Sequence, residues 1–320
     1  EQARQRRSGR GCGRGGFVVH GLLEPTRGVG ASAPVAVVLA TLSAIAFGVG
    51  DFLGGLSARR MAAVATALGT QVVGLVLILA LSPVIGGTVT ATDLGWGMAA
   101  GVVGSSALMV FYWALGAGQM SVVAPISAVT SALVPLCFGL LDGERPGAVA
   151  MTGALLALPA IVLISREPSD PVGADERDDP PHRAPGSRVV AASAVAGAGF
   201  GAFFVLISRS GDNSGLWPLA SARSVAVVVV GAAVLLTGVR RVEGTGVQLA
   251  IGAGSFDVAA NALFLLASRQ GLLTLVGVIG SMYPASTIVL ARVVLRERIA
   301  RHQMTGLALA AASLVAVTIG

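Results

Sequence analysis

A stretch near residue 144 returns near residue 297, and this repetition constrains the fold more than any other feature. Glu144-Arg145 is followed by Met151-Thr152-Gly153, and Glu297-Arg298 by Met304-Thr305-Gly306, 153 residues further on. Holding that offset without a gap, the match runs back through Gly118/Gly271, Ala114/Ala267, Phe111/Phe264, Ala107/Ala260 and Gly101/Gly254. It then reaches Phe47-Gly48/Phe200-Gly201 and Leu53/Leu206. One unit of about 150 residues is used twice, and such a repeat outranks any local pattern in reading the fold.

The unit is too apolar for water. The 320 residues are 54% hydrophobic and 12% charged, with a mean hydropathy of +0.81, far from a soluble domain. The 44 glycines fit a bilayer, where small residues let helix backbones approach closely. A spanning helix needs ~20 mostly apolar residues. Segments of that kind fall at about 35–57, 61–82, 94–115, 118–140 and 147–165, then at about 189–209, 215–237, 247–268, 271–294 and 300–319. Residues 1–33 are expected to be a disordered Arg/Gly-rich extension, 34–165 the first five-helix repeat, 166–188 a hydrophilic linker and 189–320 the second repeat.

Five crossings is an odd number, so the second repeat enters the membrane from the opposite face. The expected fold is all-α and integral to the membrane, with ten transmembrane helices as two inverted five-helix repeats. Orientation is pulled two ways. Short-loop arginines (Arg59, Arg60, Arg240, Arg241, Arg296, Arg298, Arg301 against Arg145, Arg209, Arg269) place the N-terminus outside, whereas the basic extension argues for a cytoplasmic start.

Two repeats with a Glu at the mouth of each fifth helix resemble the drug/metabolite transporter superfamily, in its ten-helix EamA-type branch, over about residues 35–320. The marks are Pro284 thirteen residues before Glu297, the small-residue helix from Gly306, and their counterparts around Glu144 and Gly153. Gly50-Asp51-Phe52-Leu53-Gly54-Gly55, followed by Arg59-Arg60, looks like a bacterial subgroup of unassigned substrate. Ser131, not proline, stands where the first repeat should match Pro284, so the two fourth helices need not bend alike. The resemblance implies a secondary transporter, most simply an exporter, of a small metabolite or drug-like compound across the bacterial inner (cell) membrane. It also implies both termini in the cytoplasm, protons or another ion for coupling, and room for a homodimer. It names no substrate.

Charges inside the spans are the candidates for chemistry, because a charge at mid-bilayer costs about 2.5 to 3.5 kcal/mol on insertion scales. Asp257 lies near the centre of the eighth segment with Asn261 one turn on. It is read as a cation or proton site in a substrate cavity, or as half of a structural pair with Arg223 of the seventh segment. Asp51, near the end of the first segment, is an interfacial cap or a gate. Tyr283 and Ser281, in the ninth segment, and Gln71, in the second, are candidate pocket residues. Glu144 and Glu297 look catalytic in isolation. Each, however, stands just before a helix start, which favours structural capping. Gly50-x-x-x-Gly54 and Gly97-x-x-x-Gly101 have the spacing of close helix crossings.

Several classes are disfavoured. The chain has no lysine and hence no P-loop of the Gly-x-x-x-x-Gly-Lys type, and neither Gly-x-Ser-x-Gly nor His-Glu-x-x-His occurs. Cys12 and Cys137 form no disulfide framework, and His20, His182 and His302 are scattered, so no metal site and no cofactor are expected. The partners expected are a small-molecule substrate, a coupling ion and lipid, not nucleic acid. The rival reading is a membrane-embedded lipid-handling protein or enzyme without transport activity.

Overall fold

The computed structural model describes residues 33–117, 120–165, 186–238, 243–294 and 300–319. Nearly all of the Arg/Gly-rich extension, most of the linker and Glu297 lie outside them. The helices are α1 (Ala33–Ala58), α2 (Ala63–Ile85), α3 (Ala91–Ala117), α4 (Met120–Leu141), α5 (Ala148–Ser165) and α6 (Ser187–Ser208). A 3-10 turn at Asp212–Ser214 leads to α7 (Trp217–Thr237), α8 (Gly244–Gln270), α9 (Leu273–Gly280), α10 (Pro284–Val294) and α11 (Arg301–Ile319). Among the described residues there is no strand, and nine helical segments are long and apolar enough to cross a membrane. At 22 residues, α4 is long enough as well, at about 33 Å. This is the architecture of an all-helical, multi-pass membrane protein.

Large apolar side chains point outward and small ones inward. On α1, Val38, Leu42 and Ile45 are exposed, while Ala36, Ala40 and Ala44 are buried. Lipid tails are as apolar as leucine, so little drives large side chains between helices, and close backbone packing does the work instead. Along the whole chain the fully buried set is dominated by alanine.

The packing partners come mainly from opposite halves of the chain. α1 lies along α8, α3 along α6 and α7, α4 along α6, and α5 along α11, while α2 packs on α7 and α8, α9 on α1 and α4, and α10 on α1. Short links turn the chain back at 59–62, 86–90, 142–147, 209–216 and 271–272. We call the side on which α1 begins the first face, and the other the second face.

Of the two glycine pairs, one makes a tight crossing. A Cβ on Gly97 would stand 2.1 Å from Pro218 O and one on Gly101 2.4 Å from Ala222 O, so α3 and α7 touch backbone to backbone. At Gly50 the nearest atom to such a Cβ, Ala253 O, is 3.3 Å away, and at Gly54 Ala253 Cβ is at 3.9 Å, an ordinary contact. Gly97→Ala and Gly101→Ala are each expected to destabilise the protein by about 1–3 kcal/mol through overpacking. Gly54→Ala should be close to neutral. Thermal unfolding in detergent measures the contrast.

The fourth helix of each half bends differently, as the Pro284/Ser131 mismatch predicts. α4 runs unbroken through Pro125 and Pro135. The ninth span is interrupted at Ser281–Tyr283, between α9 and α10. Proline lacks the amide hydrogen that would bond to the preceding turn, and it disfavours helical φ/ψ at the residue before it. The break is stitched by shorter-range bonds: Met282 N donates to Ile279 O, and Ser286 N to Tyr283 O.

Candidate functional site

At the level of that break, three of the long helices converge on one guanidinium. α7 places Arg223 two turns inside its first-face end, where the residue is 8% exposed. A buried cation must find partners or vacate the membrane. Arg223 finds two: Nη1 donates to Gln71 Oε1 of α2, and Nη2 to Asp257 Oδ2 of α8. The stem reaches them past Gly74, where a Cβ would stand 3.5 Å from Arg223 Cδ and Nε. Asn261, one turn beyond Asp257 on α8, donates from Nδ2 to Asp257 O at 2.8 Å and to Asp257 Oδ1 at 3.2 Å. Both carboxylate oxygens of Asp257 are thereby engaged, and the Asp257–Arg223 pairing read from sequence is the arrangement found.

Beside the cluster runs a cavity of about 50 Å³ lined by Gln71, Gly101, Gly104, Ser105, Phe203 and Arg223. That volume admits a few waters. It is far below what encloses a drug-sized ligand.

Asp51 sits elsewhere than an interfacial cap would. It makes no hydrogen bond or ion pair with any described residue, and Arg60, from the arginine pair that follows it, contacts Glu243 instead, at 3.5 Å. α1 meets α8 at Gly50, whose Cβ would be 3.5 Å from Asp257 N. Asp51 therefore lies within electrostatic reach of Asp257 and of Tyr283. Asp51 is exposed, on the side of α1 that also carries Phe47 and Gly48 and faces Phe204 and Tyr283, so it opens on a hollow between the helices. One turn further along α1, a Cβ on Gly55 would meet nothing within 4 Å.

Towards the first face the hollow is floored by aromatic rings. Phe47 lies one turn before Asp51 on α1 and packs edge-on against Phe204 of α6 at 5.8 Å and beside Tyr283 at 6.4 Å. Phe204 in turn stacks on Phe264 of α8 at 4.2 Å. Below this layer α9 is almost wholly buried. Ser281 belongs to that packing: it is fully buried and donates to Gly277 O at 2.9 Å, so it supports the break and does not line the hollow.

The first face is fastened by charged groups at the helix ends. Glu144 does cap a helix, but not the one that follows it in sequence. Its Oε1 accepts Leu273 N at 2.7 Å, and its Oε2 accepts Thr274 N at 2.7 Å and Thr274 Oγ1 at 2.5 Å, so it closes the free first turn of α9 from the other half of the chain. Its neighbour Asp142 takes both terminal nitrogens of Arg209 at 3.3 Å, and that guanidinium lies 4.9 Å over the ring of Phe138. Arg269 at the end of α8 donates to Gly211 O, Ser214 Oγ and Gly215 O, while Asp93 Oδ1 accepts Gly211 N at 2.7 Å. Glu297 is outside the described residues, and its expected capping role with it.

No family model and no curated protein matches this sequence. The fold itself has counterparts among solved structures. One of these, described only as a protein, superposes with a TM-score of 0.71 at 17% identity, covering 89% of this chain and 96% of the other. At that identity the likeness speaks for the fold alone.

Sequence reasoning missed the aromatic floor, the Gly74 corridor and the Asp142–Arg209 tie. Phenylalanines in an apolar helix carry no signal of their own, and a glycine among 44 is equally mute. The ion pair at the first face joins residues 67 apart.

Proposed function

We propose that the protein is a secondary transporter of a small metabolite or drug-like compound, most simply an exporter in a bacterial cell membrane, built as two inverted repeats that alternate access to a midplane site. The observation that carries this reading is a charged network of Arg223, Asp257 and Asp51 inside the spans, beside a helix broken at Ser281–Tyr283. Ionisable groups within a bilayer mark substrate or ion pathways, and discontinuous helices near the midplane are a recurrent feature of transporter sites.

The packing adds support. Exchanging the two halves turns the α1–α8 contact into α6–α3, α2–α8 into α7–α3, and the contact of α1 with the ninth span into that of α6 with α4. That exchange is what two inverted copies would produce. A hollow floored by aromatics and fastened at the first face corresponds to one of the two states such a carrier visits.

The test begins with a substrate. Growth of deletion and overexpressing strains across amino acids, sugars and toxic compounds supplies one, and proteoliposomes then measure its gradient-driven flux. Asp257→Asn is expected to abolish flux while the protein still elutes as a folded species. Flux equal to wild type at every pH would remove Asp257 from the mechanism, and absence of flux for every compound that alters growth would overturn transport.

A further inference from the structure

The two ends of the bundle hold their arginines differently. Among the described residues the first face carries four carboxylates and three guanidiniums, and the protein itself takes up each guanidinium. Arg209 is held by Asp142, Arg269 by the carbonyls of Gly211 and Gly215, and Arg145 by Leu140 O at 3.3 Å and Glu144 O at 3.0 Å. The second face carries four guanidiniums and one carboxylate among the described residues. Arg60 reaches that carboxylate, Glu243, at 3.5 Å, while Arg59, Arg188 and Arg301 make no hydrogen bond or ion pair with any described residue.

Two of these three stand at the head of a lipid-facing stripe. Arg301, Met304, Ala308 and Val315 follow one another along one exposed face of α11, and Arg188, Ala191 and Val195 along one of α6. Met304 and Val195 are each 61% exposed, on the outward side where the spans carry their large apolar groups. Neither arginine serves the helix that carries it, because the first turn sits at the positive end of the helix dipole and favours a carboxylate instead. A guanidinium above an apolar stripe matches a molecule with a phosphate at one end and a hydrocarbon chain at the other. We propose that Arg188 and Arg301 each seat the phosphate of an anionic phospholipid, whose acyl chain lies along the stripe beneath. The proposal is independent of the transporter reading, since binding is measured without flux.

Purified protein in detergent, offered phosphatidylglycerol or phosphatidylcholine of the same chain length and read by native mass spectrometry, tests it. Wild type should retain phosphatidylglycerol in preference, and less so as salt is raised. Arg188→Gln and Arg301→Gln should each weaken that preference about fivefold, and the two together roughly 25-fold. Arg188→Lys with Arg301→Lys keeps both charges and should keep most of the preference. Arg145→Gln, at the first face, should stay within about twofold of wild type. Both arginines are exposed, so every variant should unfold at a temperature close to that of wild type.

The proposal is overturned if wild type does not distinguish the two lipids, or if the double Gln variant distinguishes them as well as wild type does. Loss of preference in Arg145→Gln as complete as in the double Gln variant would overturn it too, since net charge and not place would then govern binding. Displacement of the lipid by an equal concentration of inorganic phosphate would show a site for soluble anions instead. A preference that emerges only when the carboxylates of residues 166–185 are replaced by amides would make that acidic linker, and not lipid, the occupant.

Discussion

Arg223→Met is expected to be the most damaging single substitution in the described part of the chain, costing about 3–5 kcal/mol of stability. Arg223 is 8% exposed, and its guanidinium serves two partners on two other helices. Removing it leaves Asp257 as an uncompensated carboxylate in the membrane core with Asp51 close by, and leaves the Gln71 carbonyl without its donor. Taking away both members of a buried pair is far less costly than taking away one, because the desolvation of both charges disappears with their attraction. Arg223→Met combined with Asp257→Leu should therefore recover most of the loss. Thermal unfolding in detergent of wild type, both single variants and the double variant closes the cycle. If the double variant is as unstable as Arg223→Met, the pair is not what holds α7 to α8.

Glu144→Ala is expected to cost about 2–4 kcal/mol and to loosen the first face. Three donors converge on this carboxylate, two of them first-turn amides of α9 that have no partner inside their own helix. Each stranded donor costs on the order of 1 kcal/mol or more, and the negative charge at the helix N-terminus is lost as well. Glu144→Gln keeps one acceptor oxygen, so it should fall between Ala and wild type. Hydrogen exchange at Leu273 and Thr274 reads the effect directly: both amides should exchange much faster in Glu144→Ala, while amides in α8 stay as slow as in wild type. Unchanged exchange at these two positions would show that water replaces the carboxylate at no cost, and that Glu144 fastens nothing.

The two substitutions bear on different halves of the same question. The Arg223 network sets how the helices meet at the midplane, and Glu144 sets whether the first-face end stays shut. A carrier needs the former to persist and the latter to release, so the Glu144 tie, on one helix end, is the more readily exchanged of the two.

Much of the architecture was legible in the chain. Spans announce themselves by length, since ~20 apolar residues without charge cannot be accommodated in water, and most helices found begin and end within a few residues of the expected segments, as in Gly244–Gln270 against 247–268. That the two fourth helices need not bend alike was legible too, because proline acts on its own backbone and on the turn before it, but the full break at Ser281–Tyr283 divides what was expected as one span at 271–294. The close contact of Gly97 and Gly101 follows from spacing, although the same spacing at Gly50 and Gly54 gave a looser contact. Spacing reports only that two small residues share a face. How near the neighbour comes depends on what it presents.

Glu144 marks where that legibility ends. In one dimension it stands before α5 and looks like that helix's cap, while its ligands are Leu273 and Thr274, 129 and 130 residues away. Asp51 moved in the same way, from beside Arg59 and Arg60 in sequence to beside Asp257 and Tyr283 in space. What the amino-acid sequence determined by itself was the place and approximate extent of the apolar spans and the presence of charges inside them, because these depend on local backbone propensity and on apolar length. Only the tertiary structure decided which charge neutralises which, since that depends on the rotation and offset of helices contributed by opposite halves. The pairing of Arg223 with Asp257, and the carboxylate of Asp51 left without a pair among the described residues, are consequences of that docking.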